Sequence, residues 1–174
     1  MTKQIDHLKK SAAEKARTVL GIDWDKLSPI DPFSIAKKNG IKVLFSNLPQ
    51  SISGSIERDS DGNVTIYISN REPKLRQKFT CAHELGHFFQ QEYKANRKKT
   101  LRNNDTYLFV ENREQKQDIS EIFADEFAGN LLMPEAMIIA ILKRKPSSVV
   151  EIANKLEMSI QATSIRLSKL GYSL

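Results

Sequence analysis

Two of the three histidines in this chain, His83 and His87, stand four positions apart in FTCAHELGHFF, with Glu84 beside the first. On an α-helix, positions four apart differ by only about 40° around the axis, so both imidazoles leave one face, a turn apart. Their nitrogens can then converge on a single Zn²⁺ with bonds of about 2.0–2.1 Å. Glu84, about 100° round from His83, falls beside the ion rather than on it. A carboxylate there can take a proton from water activated at the metal, the general-base step of metal-assisted hydrolysis. Gly86 carries no side chain and would let another element approach closely next to the ligands. The plainer alternative is a helix with two ordinary surface histidines.

Two histidines are too few for a catalytic zinc, which takes three protein ligands and keeps a fourth position open. His7 lies in a charged N-terminal stretch and reads as a surface residue. Cys81, about 200° from His83 on the same helix, faces the core and reads as an inert buried thiol. The better third ligand is Glu121, in DISEIFADEFAGNLLMP, 34 positions after His87. Asp125 follows one turn later and can accept the remaining ring N–H of a zinc-bound histidine, fixing its tautomer and orientation. Glu121 is also explained as a capping glutamate, but its place after a His-Glu-x-x-His helix favours a ligand. Glu126 falls on the flank away from Glu121 and is less favoured. This is the gluzincin arrangement. Other divalent ions suit the same ligand set.

The elements that must hold these groups read as α+β. SAAEKARTVLGI (11–22) has the pattern of a short helix, and Asp31-Pro32 opens another that Gly40 ends. IKVLF (41–45) reads as a strand. SISGSIER (51–58) and NVTIYIS (63–69) flank an Asp61-Gly62 turn and make a hairpin. Pro73 opens the histidine helix, with Leu75, Phe79, Ala82, Gly86 and Phe89 expected on its buried side. After a basic stretch bearing Lys94, Arg97, Lys98, Lys99 and Arg102, YLFVE (107–111) offers a short strand. Asp118-Ile119-Ser120-Glu121 resembles a capping box that starts a helix reaching Leu132. A helix over Glu135 to Leu142 and two short helices after Pro146 complete the chain. The expected architecture is a small three-stranded sheet packed on helices. Its parts are an N-terminal helical extension (1–27), a catalytic core (28–145) and a C-terminal helical pair (146–174).

Composition narrows the setting. With 174 residues, 40% hydrophobic and 28% charged, the chain can build one domain with a substantial core. No run approaches the roughly 18–20 apolar residues of a membrane span, and MTKQIDHLKKSAAEKA lacks the apolar stretch of a secretory signal. A single cysteine excludes an internal disulfide framework. A cytoplasmic protein is expected. The net charge of +6 is compatible with nucleic acid or an acidic partner without requiring either.

The stretches RQKFTCAHELGHFF and EIFADEFAGNLLMP, supported by DPFSIAKKNGIKVLF and IYISN, resemble the ImmA/IrrE family of metallopeptidases from about Ser28 onward. The resemblance implies a compact zincin-like domain in which His83, His87 and Glu121 match the zinc ligands and Glu84 the catalytic base. Family members are often borne by phages or mobile elements and typically act on helix-turn-helix repressors. Many are fused to a DNA-binding domain, whereas this chain begins too close to the catalytic part to carry one, so a separate protein is the expected target. The family's second helix usually reads Glu-x-Glu-Ala-Asn; here Phe123 and Asp125 replace its second Glu and its Asn. Some members work by binding alone, which leaves an antirepressor or antitoxin-like role as an alternative.

The C-terminal VVEIANKLEMSIQATSIRLSKLG has the cadence of a helix-turn-helix, with Gln161, Thr163, Ser164, Arg166 and Lys169 able to reach phosphates or base edges. A DNA-binding regulator is therefore a third possibility. The favoured reading has this pair packed on the core through Ile165, Leu167 and Leu170. Tyr93, Tyr107 and Arg113 are equal candidates for stabilising an oxyanion.

Overall fold

The computed structural model describes residues 2–22, 24–97, 109–110, 119–146 and 148–172, the side chains of 2, 92–97 and 109–110 excepted. Helix α1 (Thr2–Leu20) and the short α2 (Pro32–Lys38) precede three strands, β1 (Lys42–Ser46), β2 (Gly54–Arg58) and β3 (Val64–Ser69). Then come α3 (Lys74–Arg97), a two-residue β4 (Phe109–Val110), and the helices α4 (Ile119–Leu132), α5 (Glu135–Leu142), α6 (Val149–Leu156) and α7 (Ile160–Lys169). The α+β class is as expected; β4 lies within the YLFVE stretch read as a short strand, and the sheet has four strands rather than three.

The sheet runs in the order β1-β3-β2-β4. The β2–β3 hairpin is antiparallel, from Gly54 opposite Ile68 to Arg58 opposite Val64, while β1 joins β3 in parallel. Gly62 takes φ +87 in the hairpin turn, a backbone conformation that L side chains rarely adopt. Ile56, Val64, Ile66 and Ile68 point into the core, which is the period-2 alternation of a half-buried sheet. Asp31 accepts from the Phe33 N–H at 3.0 Å and starts α2, with Pro32 inside the first turn as the sequence predicts.

Helix α1 is longer than the 11–22 reading and includes the charged N-terminal stretch. Ile5, Leu8, Ala12, Ala16 and Val19 recur at helical spacing, so one stripe faces inward even though the other faces are polar. Ala12 and Ala16 are fully buried, and their small size lets α1 lie close along α4. His7 is exposed on the outer side. Among the described residues, no helix is long and apolar enough to cross a membrane.

Candidate metal centre

Helix α3 passes through the middle of the molecule, and every residue from Thr80 to Gln90 is buried. The sheet and α2 lie against it, and α4 crosses it. The expected single buried side is therefore only part of the picture. Ala82, Gly86 and Phe89 are buried as anticipated, but Leu75 is 41% exposed and Phe79 half-buried. These two lie before the point at which other elements enclose the helix, and they face an open groove.

The crossing with α4 depends on Gly86. A Cβ there would stand 2.7 Å from the Ala124 Cα, closer than atoms pack, so the two backbones meet only because the side chain is missing. That contact brings Glu121 over the histidine pair, which is 2% exposed at each residue. His83 Nε2 lies 3.1 Å from His87 Nε2 and 3.2 Å from Glu121 Oε2, and His87 Nε2 lies 3.3 Å from Glu121 Oε1. A tetrahedral centre with bonds of about 2.0–2.1 Å has edges of about 3.3 Å. The three groups could hold a metal ion, and their mutual spacing fits one.

The rings are oriented from behind. Asp125 Oδ1 sits 2.9 Å from His83 Nδ1. An ionised carboxylate only accepts, so Nδ1 carries a proton; in the neutral ring Nε2 then offers its lone pair to a metal, and in the doubly protonated ring Nε2 donates to Glu121. Ser120 Oγ lies 3.4 Å from His87 Nδ1 and can act on the second ring in the same way. The sequence pattern assigned Ser120 only to a capping box, whose Asp118 lies outside the described residues. Contacts with His83 and then His87 hold the Glu121 carboxyl well below the usual carboxylate range.

Glu84 is fully buried. Strand β2 passes directly over it: a Cβ on Gly54 would be 2.4 Å from Thr80 Cγ2 and 3.1 Å from Glu84 Oε1. Gly54 is a site residue the sequence reading passed over, although a glycine inside an alternating strand is a signal for close approach. Cys81 lies in the core as expected, where burial pushes its thiol well above the usual range. Phe123 is buried and stacks on Phe127 with ring centroids 6.4 Å apart. Phe123 thus belongs to the core, on the side of α4 away from the ligands. Glu126 bonds to Lys169 at 2.5 Å and does not join the cluster. Of the basic segment, Lys94 and Arg97 belong to the end of α3; their side chains, those of Tyr93, Tyr107 and Arg113, and Lys98, Lys99 and Arg102 lie outside the described residues.

The C-terminal pair packs on this core. Arg166, 6% exposed, donates from Nε to the Met133 carbonyl at 3.0 Å and from Nη2 to Asn130 Oδ1 at 2.8 Å. The turn residue Glu157, at φ 51, pairs with Lys78 of α3 at 3.2 Å. Leu167 is buried and Leu170 packs against the core, but Ile165 is exposed and faces the groove. The two cations a DNA-reading helix would use are thus engaged within the chain.

The model of the IrrE N-terminal-like domain, peptidase family M78, matches residues 36–168. No curated protein matches the chain by sequence. A solved Mycobacterium tuberculosis transcriptional regulator shares the fold with a TM-score of 0.56 at 17% identity, over 93% of this chain and 47% of that one. The chain thus spans about half the length of that regulator. With the family model running from α2 to the end of α7, and both motif helices inside it, this chain belongs to the IrrE N-terminal-like domain family of M78 peptidases.

Proposed function

We propose that the chain is a zinc-dependent endopeptidase of the cytoplasm that cleaves a helix-turn-helix repressor or a related regulatory protein. One observation carries the reading: two histidine nitrogens and a carboxylate converge at tetrahedral spacing beside the buried Glu84. His83, His87 and Glu121 would hold the zinc. When bound, zinc polarises a peptide carbonyl and makes water a nucleophile near neutral pH. Glu84 takes the proton from the attacking water and delivers it to the leaving amine. Asp125 and Ser120 hold the imidazoles in the tautomer that keeps their lone pairs on the ligand side. The family's peptidase character supports hydrolysis, and the resemblance of the two motif stretches to repressor-directed metallopeptidases supports the substrate class.

The test compares new protein N-termini by mass spectrometry in cells that carry the native genetic neighbourhood and express either the wild type or Glu84→Gln. A cut inside a repressor is expected only with Glu84. On the purified pair, turnover should fall about 10²–10⁴-fold while metal content stays equal. Equal relief of repression by both forms, with no differing terminus, would replace cleavage by an antirepressor that acts through binding.

A further inference from the structure

Beside the metal centre, a groove of about 910 Å³ runs between α3 and α7. Leu75 and Phe79 of α3 line it, with Met133 after α4, Met158 just before α7, and Ala162 and Ile165 within α7. Glu121 and Asp125 are also among its lining residues, so the groove borders the ligand cluster. Its lining is mostly apolar and flexible in shape, the kind of surface that receives a large apolar side chain.

The charges in the groove are not evenly matched. Of its carboxylates, Glu121 faces the two histidines, Asp125 bonds to His83, and Glu126 bonds to Lys169. Of its cations, Lys169 is engaged by Glu126, and Arg166 by Met133 and Asn130. Arg76 differs. Its guanidinium lies over the Phe79 ring at 5.7 Å, and its buried Nε has no hydrogen-bond partner among the described residues. The residue as a whole is half-buried and lines the groove, so its guanidinium can offer N–H donors to a carboxylate that enters. Lys74, exposed at the outer end, adds charge of the same sign.

Arg76 also has a fixed relation to the metal centre. It lies seven positions before His83, about two turns and so on the same helical face, roughly 10 Å along the axis. An extended peptide covers that distance in about three residues.

We propose that this groove sets the substrate preference of the peptidase: it takes a bulky apolar side chain next to the scissile bond, and Arg76 binds an acidic side chain about three residues away. The inference rests on the peptidase reading for its substrate. Arg76 acts as a specificity residue, distinct from the groups that perform hydrolysis. A guanidinium fork recognises a carboxylate in two parallel bonds, a geometry that lysine does not reproduce.

The binding test uses the zinc-loaded Glu84→Gln chain and labelled ten-residue alanine-based peptides, read by fluorescence anisotropy. Each peptide carries one leucine and an aspartate three positions to one side or the other; asparagine and lysine versions are the controls. The aspartate peptide of one polarity should bind about tenfold more tightly than its asparagine version, a difference of about 1.4 kcal/mol. Arg76→Ala should abolish the difference, Arg76→Lys should keep part of it, and Arg76→Glu should shift the preference to lysine. Melting curves of the variants check that each is folded. In parallel, wild type and Arg76→Ala digest a proteome-derived peptide library, and residue frequencies around the cuts are counted. Equal binding of aspartate and asparagine peptides, or no binding of either, overturns the inference. Cuts without acidic enrichment overturn it while leaving the peptidase reading intact. An Arg76-dependent aspartate preference without Glu84-dependent cleavage keeps the groove and removes the peptidase reading.

Discussion

The α3–α4 crossing and the α6–α7 pair are both pairs of helices carrying polar side chains at helical spacing, and they treat those side chains in opposite ways. In the C-terminal pair each engaged group meets a complementary one. Arg166 meets a carbonyl and an amide oxygen, Lys169 meets Glu126, and Ser148 and Ser159 accept the Glu151 and Ala162 N–H groups as helix caps. At the crossing, three groups able to ligate a metal face one another instead: two imidazole nitrogens and a carboxylate oxygen, all within 4.8 Å. Matched polar groups hold helices in place, whereas three ligand groups converging on one point can hold a cation. The difference separates a site from a scaffold without reference to any motif.

The comparison breaks most readily at Gly86. Gly86→Val forces a branched side chain against the Ala124 backbone, which cannot rotate away, and should cost about 3 kcal/mol together with most of the metal uptake. Thermal melting and metal analysis of the purified variant check both parts. If Gly86→Val melted with the wild type and kept its metal, the backbone contact would not be what brings Glu121 to the histidines. Next in size, Asp125→Asn should leave the melting temperature of the metal-free chain nearly unchanged while weakening zinc binding about 10–100-fold, measured by competition with a chelator. An unchanged affinity would show that the His83 ring is held by other contacts. Smallest is Lys169→Ala on the scaffold side. Its pair with Glu126 is half-exposed on the lysine, so its loss should cost less than about 1 kcal/mol. Binding to duplex DNA should not depend on it; a salt-sensitive affinity that fell in this variant would reopen the nucleic-acid reading.

What could be read from the sequence follows the range of each interaction. Spacing within one helix was enough for His83 and His87 and for the cap at Asp31, because helix geometry relates those positions directly. Glu121 and Asp125 needed one further step, the pairing of two motif helices, and the structure does bring them to the histidines. Ser120, Gly54 and Arg76 were not singled out. Their significance depends on what another element places against them, and no local pattern carries that. Leu75 was misassigned for a related reason: an apolar stripe looks the same whether it meets a core or lines a groove. Phe79 packs against the core and also lines the groove. The N-terminal half of α1 was missed because its inward stripe rests on just Ile5 and Leu8 amid charged neighbours. The C-terminal pair was favoured as packing, and the engagement of Arg166 agrees, although Ile165 turned out to face the groove.

The close passage of α3 over α4 also joins metal affinity to folding. An unfolded chain offers an ion at most two nearby histidines, since Glu121 arrives only when the helices cross. A metal that recognises all three groups therefore binds the native state alone, and at a thousand times its dissociation constant it would add about 4 kcal/mol to stability. For a domain of this size that is a sizeable fraction of the whole. Scarcity of the ion would then reduce the amount of intact protein as well as its activity, so the level of this chain would follow the supply of its metal.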